Sequence, residues 1–479
     1  MRLICYLILS FLFAPAAFGG FYNILEFGAV PDGKTLNTKS IQDAIDACNA
    51  RGGGEVIVPA GTYYTGTIFL KSNVCLNLLS GAVIQGSYDP ADYPDHNISS
   101  HKKFGTITHN GVYTQTMKSL IIADNAHHIS IKGEGMVKGA GEGEAFQLGL
   151  NKDGKPKSLF FIGCTHLVLK GIRVYNAGQI TVSISGCERV FIDGLYIQSL
   201  VNWNNDGLDV DAKDVIIANC IIDSEDDAIC FKSEYLDKYC ENITVTNCVV
   251  TSICNGIKLG TGSRGGFRNI TVSNCVINRS KENGFRHWEM TPDIVYKPEL
   301  PSVNTGIVIM GVDGGFVENI NFSDIIMRDV LSTFFVRVGK RFLKPNGETS
   351  TMRNITIQNI HAEGRSIIPA VIAGLEESPI ENITFSNIHI TLPMAVNDKM
   401  FESFPAEVFE NNKSYPENRI TFGMKIPAAA FYVKSVKELT MNGIHIRYPV
   451  DEVRPPVRFE NTERIKVNDF FVNGEILNF

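Results

Sequence analysis

Apolar and polar residues alternate along short stretches of the chain, and one such stretch recurs. Asp214 opens DVIIANCII, Asn242 opens NITVTNCVV and Asn269 opens NITVSNCVI. The phrase returns as NINFSDIIM from Asn319, NITIQNIHA from Asn354 and NITFSNIHI from Asn382, with weaker copies from His128, His166, Arg189, Glu438 and Arg464. A period of two predicts a half-buried strand. The copies are spaced by 28 residues (214 to 242), 27 (242 to 269) and 28 (354 to 382), one supersecondary unit each. The 50 residues from 269 to 319 leave room for an inserted loop. Self-similarity at this period marks a solenoid.

A second short strand precedes most copies: SLFFIG from Ser158, TVSISG from Thr181, LDVD from Leu208, AICFKS from Ala228, GIKLGT from Gly256, GIVIMG from Gly306, FFVRVG from Phe334 and FYVKS from Phe431. Two or three strands per coil, separated by Asn, Gly or Ser turns, predict an all-β chain: a single-stranded right-handed parallel β-helix. Asparagine suits the turns because it tolerates left-handed backbone. No Leu ladder or helical half-repeat supports a leucine-rich repeat, and a propeller needs longer antiparallel blades. Solenoid ends need covering. Residues 37–50 predict a helix capped by Asn37 or Thr38, with Ile41, Ala44, Ile45 and Cys48 on one face, stopped by Gly52-Gly53-Gly54. This gives an N-terminal helix cap with the first coils over 20–87 and a parallel β-helix domain over 88–479.

Composition narrows the picture. Apolar residues make up 44% and charged residues 20%, ordinary globular usage. The net charge of -7 argues against a nucleic-acid partner. Arg2, the apolar run Leu3 to Phe13 and Ala17-Phe18-Gly19 read as a signal peptide cleaved after Gly19, and predict an exported, periplasmic or secreted chain. No later stretch reads as a membrane span, and a monomer is expected. Ten cysteines remain after Cys5, but Cys220, Cys248 and Cys275 recur at one place in the repeat and read as a buried stack rather than disulfides. Without a Cys-x-x-Cys pair no zinc is expected; metal and cofactor are both read as none. The Asn-Ile-Thr triplets match glycosylation sequons, yet they recur at the coil period and read as turn asparagines.

Three carboxylates fall just before the first strand of a coil: Asp206 before LDVD, Asp226 and Asp227 before AICFKS. Adjacent strands lie roughly 4.8 Å apart, so the three share one surface patch on one flank. Crowded carboxylates raise the pKa of at least one member. A solvated acidic turn is the plain alternative. Paired carboxylates beside a groove suit glycosidic hydrolysis, one giving a proton and the other activating water or attacking the sugar.

The blocks NNDGLD (204–209), EDDAICFKS (225–233) and NGIKLGTGSRGGFRNI (255–270) resemble those of glycoside hydrolase family 28, the polygalacturonases. FGAVPDGKT (27–35), VPAGTYYTG (58–66) and LKSNVCLNLLSGAVIQGS (70–87) resemble the start of bacterial members. The resemblance implies hydrolysis of a pectic poly- or oligosaccharide with inversion. Asp226 is then the general acid, Asp206 and Asp227 hold and activate water, and Asn204 lies beside them. An inverting pair is expected roughly 6.5–9.5 Å apart. Lys232 matches the family's lysine, though it can equally face the core.

Two departures stand out. Asn255, in Cys254-Asn255-Gly256, replaces a histidine of the family; it hydrogen-bonds but does not titrate. Val308-Ile309-Met310 replaces Arg-x-Lys, the cations that bind a galacturonate carboxylate, which leaves a rhamnogalacturonan-type or modified substrate open beside polygalacturonate. Candidate replacements are Lys258 and Arg264, then Arg286 and His287 with Trp288 for stacking, and Arg337 with Lys340, Arg341 and Lys344. Each alone reads as a solvated charge. Two rivals stay open. One is a pectate-lyase-like enzyme with calcium held by Asp206, Asp209, Asp211, Asp226 and Asp227. The other is a carbohydrate-binding solenoid without catalysis.

Overall fold

The structure, a computed structural model, describes residues 20–94, 118–147, 154–280, 295, 300–344, 346–404 and 422–479. The expected leader lies outside them. The chain is a parallel β-helix. Strands pair in parallel, coil upon coil, in three ladders; among the strands of the described residues only the last two, Ile465–Val472 and Glu475–Leu477, pair antiparallel.

The repeat phrase builds the first ladder, with Val215, Ile243, Ile270, Ile320, Ile355 and Ile383 in register. The last residues of each phrase build the second, through Ile222, Val250, Ile277 and Met327. The short strands before each phrase build the third, through Leu159, Val182, Leu208, Ile229, Ile257, Ile307 and Phe334. These side chains are buried in one core that runs the length of the solenoid.

Phrase starts sit in the left-handed region, with φ from 50 to 59° at every copy except Glu438. The asparagines there also bond to each other: Asn269 donates its amide to Asn242 (3.1 Å), Asn319 to Asn269 (3.1 Å), Asn354 to Asn319 (3.0 Å) and Asn382 to Asn354 (2.9 Å). The turn residue thus satisfies its own backbone geometry and stitches neighbouring coils. Cys220, Cys248 and Cys275 are free and buried, and no disulfide forms among the described residues.

The helix spans Thr38–Ala50 and buries Ile41, Ala44, Ile45 and Cys48 against the first strands. Asn37 stands at its start without a side-chain cap. Its amide instead ties the preceding loop, accepting from Val30 N–H (2.6 Å) and donating to Thr35 O (2.7 Å). The competing backbone partners of the loop win over the orphan N–H groups of the helix.

Candidate active site

The third ladder carries the site. Alternation puts Leu208 and Val210 in the core and Asp209 and Asp211 on the other face of Leu208–Ala218. Likewise Ile229 and Phe231 point inward on Ile229–Ser233, with Lys232 opposite, and Ile257 and Leu259 point inward on Asn255–Ser263, with Lys258 opposite. Lys232 therefore faces the carboxylates, 4.0 Å from Asp209.

Asp206, Asp227 and Asn255 occupy successive steps of one corner. Gly207 N–H donates to Asp227 O (2.9 Å) and Ala228 N–H to Asn255 O (3.0 Å). Register pairs Leu208 with Ile229, so Asp206 stands over Asp227, one residue beyond the step to Asp226 read from sequence. The corner is pinned by groups that sequence reading missed. Ser224 and Ser252 hydroxyls both donate to Asp226 O (2.7 Å each). The Asn205 amide donates to Ala177 O (2.9 Å) and Gln179 O (2.7 Å) and accepts from Asn202 N–H (2.9 Å). Its signal was the second Asn of Asn204-Asn205-Asp206. Asn204 itself has φ 59° and donates weakly to Asp226 Oδ2, at 3.4 Å.

The expected surface patch is in fact buried: Asp206 is 6% exposed, Asp226 8% and Asp227 2%. Burial makes their environments diverge. Desolvation, with the charges of Asp209 and Asp226, pushes Asp206 well above the usual carboxylate range. Burial also raises Asp227, but the Lys258 and Lys232 charges and hydrogen bonds from Lys258 and Asn255 outweigh it and hold Asp227 below that range. Lys258 Nζ lies 2.9 Å from Asp227 Oδ2, and Asn255 Nδ2 lies 2.7 Å from Oδ1. Lys258, expected as a substrate cation, is the counterion of Asp227, and Asn255 supplies a hydrogen bond where a histidine was expected. One oxygen each of Asp226 and Asp227 and the Cys254 sulfur lie within 4.8 Å of one another.

Val308 and Met310, which replace the family's two cations, join Phe335, Val371, Phe422 and Ile426 in a separate apolar cluster. These positions are therefore packed with apolar side chains. Arg337 pairs in register with Met310, is buried and lies 5.8 Å from the Phe422 ring. Its neighbours are committed elsewhere. Arg341 forks onto Asp313 (2.6 and 2.7 Å), Lys340 pairs with Glu377 and Lys344 with Glu348 (3.0 Å). Arg264 stands over the Phe342 ring at 5.6 Å. Arg286, His287 and Trp288 lie outside the described residues.

The buried carboxylates predict an unusual pH profile of stability. Burial raises Asp209 to about 6 against the opposing charge of Lys232. A raised native pKa gives stability that is full below the unfolded pKa, near 3.9, and lost as pH rises through the native value. Asp209→Asn removes that loss. Its gain over the parent should grow from pH 4 to pH 7, to on the order of 3 kcal/mol, measured by denaturant unfolding. A gain that is flat with pH would contradict the assignment.

A sequence profile described as Glycosyl hydrolases family 28 matches residues 95–290. An "Exo-poly-alpha-D-galacturonosidase" of Dickeya chrysanthemi is 55% identical over 73 residues, which cover 15% of this chain and 12% of that one. A "Probable polygalacturonase" of Vitis vinifera is 26% identical over 390 residues, covering 77% of this chain and 74% of that one. The crystal structure of a hyperthermoactive exopolygalacturonase from Thermotoga maritima superposes with a TM-score of 0.62 at 24% identity, covering 78% and 87% of the two chains, and shares the fold.

Proposed function

We propose that this chain, which belongs to glycosyl hydrolases family 28 and is a glycoside hydrolase, cleaves the bonds of a pectic galacturonan with Asp206, Asp226 and Asp227. The observation that carries the reading is the electrostatic split at one corner: burial pushes Asp206 well above the usual carboxylate range, while Lys258 helps to hold Asp227 below it. Groups driven to opposite states are what acid–base cleavage of a glycoside needs.

In this reading Asp226 gives its proton to the glycosidic oxygen as the C–O bond breaks. A water molecule attacks the anomeric carbon, and Asp227 takes the proton that water loses. Asp206 shares in holding that water. The product has inverted anomeric configuration; NMR of the first-formed sugar checks this, and a retained anomer rejects it. The raised pKa of Asp206 favours a second reading, in which Asp206 is the proton donor. A galacturonosyl fluoride separates the two, because fluoride leaves without protonation. The Asn variant that still hydrolyses the fluoride has lost the acid.

The relatives favour galacturonan over the lyase reading. Export belongs to the proposal, supported by Arg2 and the apolar run that follows it; a monomeric state belongs to it as well. Among the described residues no helix is long and apolar enough to cross a membrane.

A further inference from the structure

Lys157 stands two coils before Asp206. Register pairs Leu159 with Val182 and Val182 with Leu208, so Lys157, Ile180 and Asp206 fall in one column, with steps of roughly 4.8 Å. The residue is 1% exposed, yet its ammonium has no hydrogen-bond partner among the described residues. Its Nζ lies 3.9 Å from the centre of the Phe160 ring. The carboxylates of Glu234, Asp209 and Asp206 attract it from a distance, but burial outweighs them and lowers its pKa to about 8. On the coil between, Gln179 Oε1 and Thr181 Oγ1 are also buried without partners.

An unpaired buried ammonium is costly, and a fold gains nothing from keeping one beside two further unpaired polar groups. Register sets Gln179 and Thr181 on either side of Ile180, the position beside Lys157, and a cation with a hydroxyl and an amide oxygen on the adjoining coil fits a carboxylate with neighbouring sugar hydroxyls. The family cations are replaced by the packed Val308 and Met310, and Lys258 is spent on Asp227. We infer that Lys157, with Gln179 and Thr181, binds the carboxylate of a uronate residue one or more sugars away from the cleaved bond, on the side that precedes Asp206. The inference rests on the galacturonan reading and deepens it.

Binding needs no turnover, so calorimetry tests it. An oligogalacturonate should bind the parent chain more tightly than its carboxyl-reduced form. Lys157→Met should weaken the uronate by about 10- to 10²-fold, from the usual worth of a hydrogen bond to a charged group, and leave the neutral sugar unchanged. Lys157→Arg should keep most of the affinity. The ligand-free Lys157→Met variant should melt at the same or a higher temperature. Unchanged uronate affinity in Lys157→Met, no binding of uronate by the parent, or a lowered melting temperature of the variant would each overturn the assignment. Absence of new reducing ends with the parent enzyme would overturn the hydrolase reading instead, whatever the binding result.

Discussion

Asp226→Asn should lower kcat on oligogalacturonate by 10²-fold or more, within about 10²–10⁴, while the chain keeps its fold and its melting temperature. The range is the usual worth of general acid catalysis. Asparagine nearly matches aspartate in size. The backbone contacts that fix the corner, from the Ser224 and Ser252 hydroxyls to Asp226 O, do not involve the side chain. What goes is the transferable proton; the Oδ1 that accepts from Asp227 N–H at 3.0 Å has a counterpart in asparagine. The asparagine carbonyl can take that N–H, so structure should survive. Steady-state kinetics with a circular dichroism melt checks both halves. Near-parental turnover in the folded variant would remove Asp226 from the mechanism.

Lys258→Met should be nearly as harmful to activity and far more harmful to stability. Lys258 and Asp227 are both buried, their side chains each 3% exposed, and joined at 2.9 Å. Removing one partner of a buried pair leaves an uncompensated charge and typically costs about 3–5 kcal/mol. Asp227 can escape that cost by taking a proton, and it then no longer accepts one from water. In the parent, the lowered pKa of Asp227 adds stability above the unfolded value near 3.9, which is lost as pH falls through the native value. In the variant the sign reverses: desolvation raises the pKa, so stability falls as pH rises. Denaturant unfolding at pH 5 and pH 8 measures this. The double variant Lys258→Met with Asp227→Asn should regain stability without regaining activity. A single variant as stable as the parent at pH 8 would show that the pair contributes nothing.

Much of the scaffold was legible because its rules are local. Alternation in NITVTNCVV sets a strand, and asparagine at Asn242 tolerates the left-handed turn. Arg189 holds the same backbone conformation without that tolerance, and only the repeat could reveal it. The three aspartates were found because their blocks are short and contiguous. The rest depends on how unequal coils stack. Successive steps along the third ladder are 23 residues (159 to 182), 26 (182 to 208), 21 (208 to 229) and 28 (229 to 257). No fixed count leads from Lys157 to Asp206 or from Asp227 to Lys258. The packing of Val308 beneath Phe422 joins residues over a hundred positions apart and leaves no local trace.

The amide chain along the first ladder sets the circumference of each coil independently of how many residues that coil contains. Asn319 follows Asn269 by 50 residues, and Asn354 follows Asn319 by 35, yet both gaps close with an amide bond at 3.0–3.1 Å, as does the 27-residue step from Asn242 to Asn269. Extra residues are paid out between ladders, and the register downstream is restored at the next asparagine. The scaffold therefore behaves like a ratchet. Loops between ladders can lengthen, shorten or change chemistry during evolution without moving any carboxylate relative to its neighbours on the adjoining coils.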